Sequence, residues 1–202
     1  VFLPDEWYAG KLVHGSHLKV HVDAGHMAMD RIPAYVRRVV QDPHTRGFTG
    51  QYWDPPEPFV FRHKSPGLHG LRGGLRIYEA HVGMAQEEGK VGSYEEFTRN
   101  ILPRIARLGY NAIQLMAVME HPYYGSFGYH VANFFAVSSR FGTPEELKYL
   151  LNEAHRLGIA VLLAIVPSPA VKTEACGIAT VDGPGTPDFP AGSRGDDPGW
   201  GR

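Results

Sequence analysis

The chain has 202 residues, with 20 basic and 21 acidic side chains and a formal net charge of -1. This evenly mixed charge gives no basic stripe for nucleic acid and no acidic tail. No apolar run approaches the ~20 residues that span a bilayer, and the N-terminus lacks the pattern of a signal peptide. The single cysteine, Cys176, has no internal disulfide partner, which favours a reducing compartment and predicts a cytoplasmic protein. The charge and hydropathy patterns predict that it binds neither nucleic acid nor membrane.

Residues 1–63 are predicted to be all-β. The segments 17–22, 34–41 and 58–63 are short runs rich in β-branched or aromatic residues, and a turn is predicted between the first two. Several short strands separated by turns indicate a small β-sandwich or half of one. Residues 64–74, KSPGLHGLRGG, form a predicted linker at a domain boundary.

Residues 75–166 change to an α/β pattern. The segments 75–82, 111–118 and 159–166 predict three strands, and helices are predicted between them. Alternating strands and helices indicate a parallel sheet covered by helices. No strand is followed by a Gly-rich phosphate loop, so a nucleotide-binding fold is disfavoured.

Both helices carry clear start and stop signals. The first is predicted to begin after Ser93 with a capping box and to end at Gly109. Pro103 within it predicts a kink or a break. The second is predicted to begin after Thr143, also with a capping box, and to end at Gly158.

The third strand raises a question about chemistry. Residues 160–166 are all apolar and predict a buried strand, but Pro167, Ser168 and Pro169 follow where a parallel fold usually presents polar side chains. Residues 167–202 are rich in Gly and Pro, and we predict a degenerate tail without regular structure.

The loop after the second strand, MEHPYYGSFGYHVANFFAVSSRFGTPEEL, is the most informative segment. Loops at this end of parallel strands usually carry the functional site. Its aromatic side chains suit the C–H faces of sugar rings, and they equally suit packing of the loop onto the sheet. The residues alone leave both interpretations open.

Three segments carry a resemblance to a known family: RIYEAHVGM, LPRIARLGYNAIQLMAVMEHPYYGSFGYHVANFFA and SSRFGTPEELKYLLNEAHRLGIAVLL. They closely resemble 1,4-α-glucan branching enzymes of the α-amylase superfamily. RIPAYVRRVVQDP and GQYWDPPEPFVFRH resemble the end of that family's N-terminal carbohydrate-binding β-sandwich. The resemblance implies a partial β-sandwich in residues 1–63, followed in residues 75–166 by the first three βα units of a truncated (β/α)8 TIM barrel.

The resemblance also implies a substrate and a reaction. The family cleaves an α-1,4 bond in a glucan and transfers the freed segment to a 6-hydroxyl through a retaining, two-carboxylate mechanism. It implies that Tyr129 stacks on the sugar at the cleavage site, and that His121, Tyr123 and Tyr124 line the same cleft. The implied partner is an α-1,4-glucan, with no cofactor and no metal.

Two departures from the family pattern stand out. The family's third strand ends in an Asp with two His three and five residues later, whereas this chain has Ala164, Pro167 and Pro169. These side chains neither donate nor accept the hydrogen bonds that hold the sugar. Each change needs one A-to-C base change, which suggests drift in an unselected copy or a reading error in the gene sequence.

The second departure is length. A barrel needs ~250 residues, more than the whole chain of 202. No catalytic carboxyl of the family can be assigned, so we expect this chain alone to be inactive as a hexosyltransferase. A glucan-binding fragment without turnover and a non-functional truncated copy are the alternatives.

The remaining polar residues are interpreted as structural. Glu79 and Glu120 are the carboxyls nearest the strand ends, and buried hydrogen-bonded structural roles are favoured for both. His81, His121 and His130 lack a compact metal-ligand spacing. A separate residue, the indole of Trp53, either stacks on glucan or pins the linker, and the second interpretation is favoured.

Overall fold

The computed structural model describes residues 2, 4–23, 25, 28–67 and 73–165. The predicted tail at 167–202 and part of the predicted linker therefore lie outside the described residues. The elements of the N-terminal half are a short helix and five strands: α1 (Asp5–Tyr8), β1 (His17–Leu18), β2 (Val20–Asp23), β3 (Ala28–Arg31), β4 (Arg38–Gln41) and β5 (Phe48–Gln51).

These five strands form two small antiparallel sheets, in the orders β1-β5-β4 and β2-β3. The predicted strand at 17–22 is present as two pieces, and the one at 34–41 begins only at Arg38. The predicted turn between them contains β3, which pairs with β2 from Ala28 to Arg31. Strand β5 was not predicted, because its segment FTGQ has a glycine and little apolar character.

The prediction of a strand at 58–63 is wrong, since this segment has no regular structure. Its backbone N–H groups at Arg62 and His63 both donate to the side-chain oxygen of Asn152, at 2.8 and 3.1 Å. A side chain of the C-terminal half thus takes the place of a neighbouring strand.

The C-terminal half contains the predicted parallel sheet. Strands β6 (Ile77–Ala80), β7 (Ala112–Leu115) and the later β10 (Ala160–Leu163) are all parallel, with β7 in the centre. The three predicted strands are confirmed in position but are shorter at their ends. Between β7 and β10 lies an antiparallel hairpin, β8 (Met119–Glu120) with β9 (Asn133–Val137), which the sequence analysis missed.

The helix after Ser93 shows the predicted capping box and the predicted break. It starts as α2 (Tyr94–Glu96), widens into a π-helical turn over Phe97–Ile101 and continues as α3 (Leu102–Arg107). Pro103 has no N–H to continue the regular ladder, and the N–H of Leu102 instead reaches back five residues to the carbonyl of Phe97. The helix ends before Gly109, whose φ is +84°.

Helix α4 (Pro144–Arg156) also begins with the predicted capping box. The Thr143 hydroxyl accepts from the N–H of Glu146 at 3.2 Å, and the Glu146 carboxylate accepts from the N–H of Thr143. Leu147, Leu150 and Ala154 lie on one face of the helix and are buried. The helix ends before Gly158, whose φ is +74°.

We expect Thr143→Ala to lower the free energy of unfolding by about 1 kcal/mol, because the first turn of α4 loses an acceptor for its unpaired N–H groups. Urea unfolding followed by circular dichroism measures this change. Thr143→Ser keeps the hydroxyl and serves as the control, with an expected loss of less than half as much. Equal losses in both variants would contradict a capping role.

The main core lies between the helices and one face of the parallel sheet. Its largest fully buried side chains include Tyr94, Phe97, Phe141, Leu102, Ile105, Ile113, Leu115, Leu150 and Ile159. The other face of the sheet is open: Ile77 is 43% exposed, and Glu79 beside it is also exposed.

The prediction that the third strand is buried is wrong for its second half. Ala160 is buried, but Leu163 is 46% exposed and Ile165 is 64% exposed. In the described part of the chain β10 pairs with β7 on one side only, so its C-terminal end lacks the cover of a second neighbour.

The two halves pack directly on each other. A second core cluster joins Ile32, Val36, Val39 and Phe48 to Ala132 and Ala136 of the β9 region. Polar contacts add to it, because the indole N–H of Trp53 donates to the Glu145 carboxylate at 2.6 Å. Trp53 therefore ties the N-terminal half to α4, whereas its pinning of the linker and the domain boundary at 64–74 stay predictions.

Candidate functional site

The candidate site is built on residues 119–142, which we call the site loop. It leaves the C-terminal end of β7, contains the β8–β9 hairpin and a 3-10 turn at Tyr124–Ser126, and ends at the first turn of α4. The aromatic and β-branched run at 131–137 was the available signal for strand β9. It was missed because its partner, β8, has only two residues.

The position of Tyr129 is set by two consecutive residues with positive φ just before it. Phe127 and Gly128 both adopt positive φ, +55° and +90°, and the N–H of Tyr129 donates to the carbonyl of Ser126 at 3.0 Å. A Cβ at Gly128 would lie 2.2 Å from the carbonyl oxygen of Ala117, which follows β7. The absence of a side chain at Gly128 thus lets the loop lie directly on the strand end.

The Tyr129 hydroxyl lies within electrostatic range of Glu79, which is on the open face of the sheet. Burial raises the pKa of this hydroxyl, and the nearby charge of Glu79 on β6 raises it further. Glu79 itself accepts a hydrogen bond from the Gln114 side chain of β7 at 2.8 Å. A half-buried phenol, a carboxylate and an amide thus lie near one another at this face, a set of groups suited to hydroxyl-rich ligands.

The other three predicted cleft residues have different exposures. Tyr123 is 63% exposed and Tyr124 is half-buried, whereas His121 is fully buried. The Nδ1 atom of His121 lies 2.9 Å from the carbonyl oxygen of Met119, and burial lowers its pKa, so the imidazole is neutral. In this structure His121 supports the loop from below, and its contact with substrate remains a prediction.

A cluster of rings underlies the loop. The ring of His81 makes edge contacts with Tyr124, Phe127 and Phe141, with centroids 5.5 to 6.0 Å apart. Burial lowers the pKa of His81. A side chain at Gly83 would lie 2.7 Å from the Phe141 ring and 2.8 Å from the Tyr124 hydroxyl, so this glycine makes the cluster possible.

Arg140 and Tyr124 form the outer wall of this cluster. The Arg140 guanidinium lies 5.8 Å from the centre of the Tyr124 ring, a cation–π distance. It also donates to the carbonyl of Pro122 at 3.0 Å, which ties the two sides of the loop together. Within the described ranges no group of three or more His, Cys, Asp or Glu residues is arranged to hold a metal ion.

Glu120 is the single acidic residue of the site loop, and its pKa is strongly shifted. It is 2% exposed and accepts hydrogen bonds from the backbone N–H groups of Ser139 at 2.7 Å and His121 at 3.3 Å. Burial raises its pKa to about 6, and these hydrogen bonds oppose the shift. This agrees with the structural role favoured for Glu120 from the sequence.

We expect Glu120→Gln to change how stability depends on pH. The pKa of Glu120 rises from 4.5 to about 6 on folding, so the folded state keeps a proton that the unfolded state releases. The resulting stabilisation is present below about pH 4.5 and is lost as the pH rises through about 6, by about 2 kcal/mol. Relative to Glu120→Gln, the wild type should therefore lose about 2 kcal/mol between about pH 3.5 and about pH 7 in urea unfolding. A constant difference between the two proteins would contradict this assignment.

Ala164 lies at the same end of the sheet as the site loop. Its N–H donates to the carbonyl of Leu115 at 2.9 Å, directly after β10 ends. That Ala164 replaces a sugar-binding side chain stays a prediction. The other two departures, Pro167 and Pro169, lie outside the described residues.

Comparison with solved structures identifies the class of fold. The chain matches the catalytic module of SpuA, titled a multi-modular glycogen-degrading pneumococcal virulence factor, with a TM-score of 0.62 and 19% identity over 77% of this chain and 28% of that one. A putative alpha amylase from Salmonella typhimurium matches with a TM-score of 0.54 and 25% identity, over 67% of this chain and 22% of that one. The family profile described as "Alpha amylase, catalytic domain" matches residues 89–173. The chain thus has the fold of the α-amylase superfamily.

Its sequence relatives are more specific. The 1,4-alpha-glucan-branching enzyme 2-2, chloroplastic/amyloplastic, of Arabidopsis thaliana is 48% identical over 96% of this chain and 24% of its own length. The 1,4-alpha-glucan-branching enzymes of Dictyostelium discoideum and Felis catus are 47% and 44% identical, over 93% and 99% of this chain and 27% and 28% of theirs. Over almost its whole length the chain is similar to 1,4-alpha-glucan-branching enzymes, and it spans about a quarter of the length of these relatives.

Proposed function

We propose that this chain is the glucan-binding part of a 1,4-α-glucan branching enzyme. The observation that carries the proposal is the seat of Tyr129, which Gly128 holds against the end of β7 beside the open face of the sheet. A half-buried aromatic ring near hydrogen-bonding groups is the arrangement that sugar rings need. The substrate class follows from the relatives, which are named for branching α-1,4-glucan.

We propose further that β6, β7 and β10 are the first three strands of a (β/α)8 barrel. Three parallel strands with helices on one face and an open second face support this, because a barrel interior would cover that open face. The segment 1–63 is proposed to be the C-terminal part of a carbohydrate-binding β-sandwich, and 64–74 the linker. A cytoplasmic location is also proposed, although one relative is named chloroplastic/amyloplastic.

In this proposal the chain orients the glucan, and bond breaking belongs to other residues. A retaining transfer needs a nucleophilic carboxylate and an acid/base carboxyl ~5–5.5 Å apart. Glu79 is hydrogen-bonded to Gln114, and Glu120 is buried against the backbone of Ser139. Neither carboxyl is arranged for this chemistry, so the 202-residue chain should bind glucan without branching it.

Affinity electrophoresis in gels containing glycogen tests the binding directly. The wild-type chain should be retarded, and Tyr129→Ala should weaken the retardation about tenfold, a typical loss for a stacked aromatic ring. Tyr149→Ala, on the 41% exposed Tyr149 of α4, is the matched control and should change nothing. A wild-type chain that migrates identically with and without glycogen would overturn the proposal.

A second experiment tests whether this chain orients the glucan while other residues break the bond. Ala164→Asp combined with Pro167→His and Pro169→His should give no iodine-detected branching in this chain, since these residues hold the sugar but break no bond. In a chimera carrying the remaining strands of a related enzyme, the same three changes should raise the branching rate at least tenfold. Branching by the repaired chain alone would show that the chemistry is wrongly placed.

Ala164 favours one alternative, a glucan-binding protein without turnover. Its methyl group at the end of β10 offers no hydrogen bond to a sugar, while the seat of Tyr129 is intact. In that case the chimera should stay inactive until the three changes are made, yet the original chain should still bind glycogen. A chain that neither binds nor regains activity in the chimera would be a non-functional copy.

A further inference from the structure

Arg38 of β4 reaches from the N-terminal half to the base of the site loop. Its Nη1 donates to the carbonyl of Gly142, the last residue of the loop, at 2.8 Å. Burial lowers the pKa of Arg38, and Glu120, in the second position of the loop, opposes this more than any other carboxyl does. Arg38 therefore hydrogen-bonds the end of the segment 119–142 and lies within electrostatic range of its beginning.

The guanidinium is itself held in place. Its Nε donates to the Gln51 side chain at 3.2 Å, and its plane lies over the Trp53 ring with a centroid distance of 4.9 Å. Glu146 and Glu145 of α4 add weaker attraction. A planar cation fixed on three sides directs its remaining donors with little freedom, which a flexible lysine does not do.

A nearby cation suits both ends of the loop, although two backbone N–H groups already donate to the Glu120 carboxylate. Glu120 is 2% exposed, and a carboxylate removed from water is costly unless charged or N–H groups compensate it. Gly142 adopts a φ of +138°, and a Cβ there would lie 2.2 Å from the Glu146 carboxylate, so the chain bends sharply into α4 at this residue. Its carbonyl is fixed by Arg38 in that bend.

We propose that Arg38 is a positioning residue that closes the base of the site loop through its hydrogen bond to Gly142, and so holds Tyr129 against the end of β7. The N-terminal half also covers the back of the loop, because Ala132 and Ala136 pack against its apolar cluster. The Asn133 side chain donates to the carbonyl of Pro33 at 3.4 Å on the same side.

The prediction that Arg38 affects glucan binding rests on the proposed function, whereas the prediction that Arg38 keeps the site loop ordered does not. Two readouts on the full chain therefore separate the two ideas: hydrogen exchange of loop amides, and retardation in glycogen gels. The informative amides are those of Tyr129, which donates to Ser126, and Ala132, which donates to Glu120. The amide of Met116, which donates to Ala80 in the parallel sheet, reports global opening.

Arg38→Met removes the charge and the donors but keeps the apolar stem. We expect exchange of the two loop amides to quicken about tenfold while that of Met116 is unchanged, as for the loss of a charged hydrogen bond. Arg38→Lys should restore part of the protection, because the cation remains. Arg37→Met, at the exposed neighbouring arginine, is the control and should behave as wild type.

A double-mutant cycle tests whether Arg38 also acts through Glu120. If Arg38 acts through this carboxyl, Arg38→Met should cost less protection in the Glu120→Gln background than in the wild type. Equal costs in the two backgrounds would overturn that route. If Arg38→Met does not fold, Arg38→Lys and Arg38→Gln carry the same comparison, and loop protection equal to wild type in both would overturn the proposal.

The glycogen readout completes the test. Arg38→Met should weaken retardation in glycogen gels by about the same factor as it raises the exchange rate of the loop amides. If glycogen binding is unchanged although the loop amides exchange faster, the link between Arg38 and the ligand is overturned. If the Met116 amide exchanges faster by the same factor as the loop amides, Arg38 is a general stabilising contact and the positioning role is overturned. A wild-type chain without glycogen affinity, but with a loop that responds to Arg38, would refute the proposed function and leave the positioning role standing.

Discussion

Replacing Gly128 with alanine is expected to remove glycogen binding, with at least a tenfold loss of affinity. The new Cβ would lie 2.2 Å from the carbonyl oxygen and 3.0 Å from the Cβ of Ala117, both on rigid chain after β7. The loop must lift from the strand end, because the fully buried backbone segment at Ala117 is packed too tightly to move aside. Tyr129, the next residue, is displaced with it.

The same change should also lower the free energy of unfolding by about 2–4 kcal/mol, from backbone strain at positive φ and from the clash. Gly109→Ala is the matched control, since Gly109 has a similar φ of +84° but nothing within 4 Å of its missing Cβ. It should cost only about 1 kcal/mol and leave glycogen binding intact. Equal effects of the two variants in urea unfolding and gel retardation would show that close approach to Ala117 is unimportant.

Replacing Phe141 with alanine is expected to lower the free energy of unfolding more than Gly128→Ala does. Phe141 is 1% exposed, and its ring contacts His81, Tyr94 and His121 with centroids 5.5 to 5.9 Å apart. Emptying this position should cost about 3–5 kcal/mol, from lost burial and from the cavity left among rings. That is a large share of the stability of a typical domain, about 5–15 kcal/mol.

Thermal unfolding followed by circular dichroism should show a midpoint lowered by roughly 10 °C. Phe135→Ala is the control of equal size, because Phe135 is 56% exposed and contacts the ring of Tyr35 at 4.7 Å. It should cost less than about 1 kcal/mol. Similar midpoints for the two variants would show that the ring cluster under the site loop does not support the fold.

Both predictions concern contacts that the sequence analysis did not identify. Gly128 and Phe141 were visible only as members of an aromatic, glycine-containing loop. Whether such a loop packs on its own sheet or binds a ligand was left open, and the structure shows that it does the first. Tyr124, Phe127 and Phe141 pack around His81 beneath the loop, while Tyr123 is exposed.

The error at 58–63 has a related cause. Its run of aromatic and β-branched residues is typical of a strand, but a strand also needs a partner with free backbone groups. Here Asn152, far along the chain, supplies the acceptor instead. Strand β9 was missed for the opposite reason: a partner existed in β8, but two residues are too few to be recognised.

The sequence by itself determined the features that depend on neighbours a few residues away. The two capping boxes at Ser93 and Thr143, the break at Pro103 and the three parallel strands were all predicted, because caps, proline and apolar period act within one or two turns of chain. The family resemblance was likewise carried by continuous motifs, and the branching-enzyme relatives confirm it.

Only the tertiary structure decided what lies against what. The contact of Arg38 with Gly142 joins residues 104 positions apart, and that of Trp53 with Glu145 joins residues 92 apart. The burial of Glu120 and His121 and the bare end of β10 also depend on which elements cover them. No local pattern encodes such pairs, because each side chain alone is compatible with many partners, and the packing of the whole chain selects one.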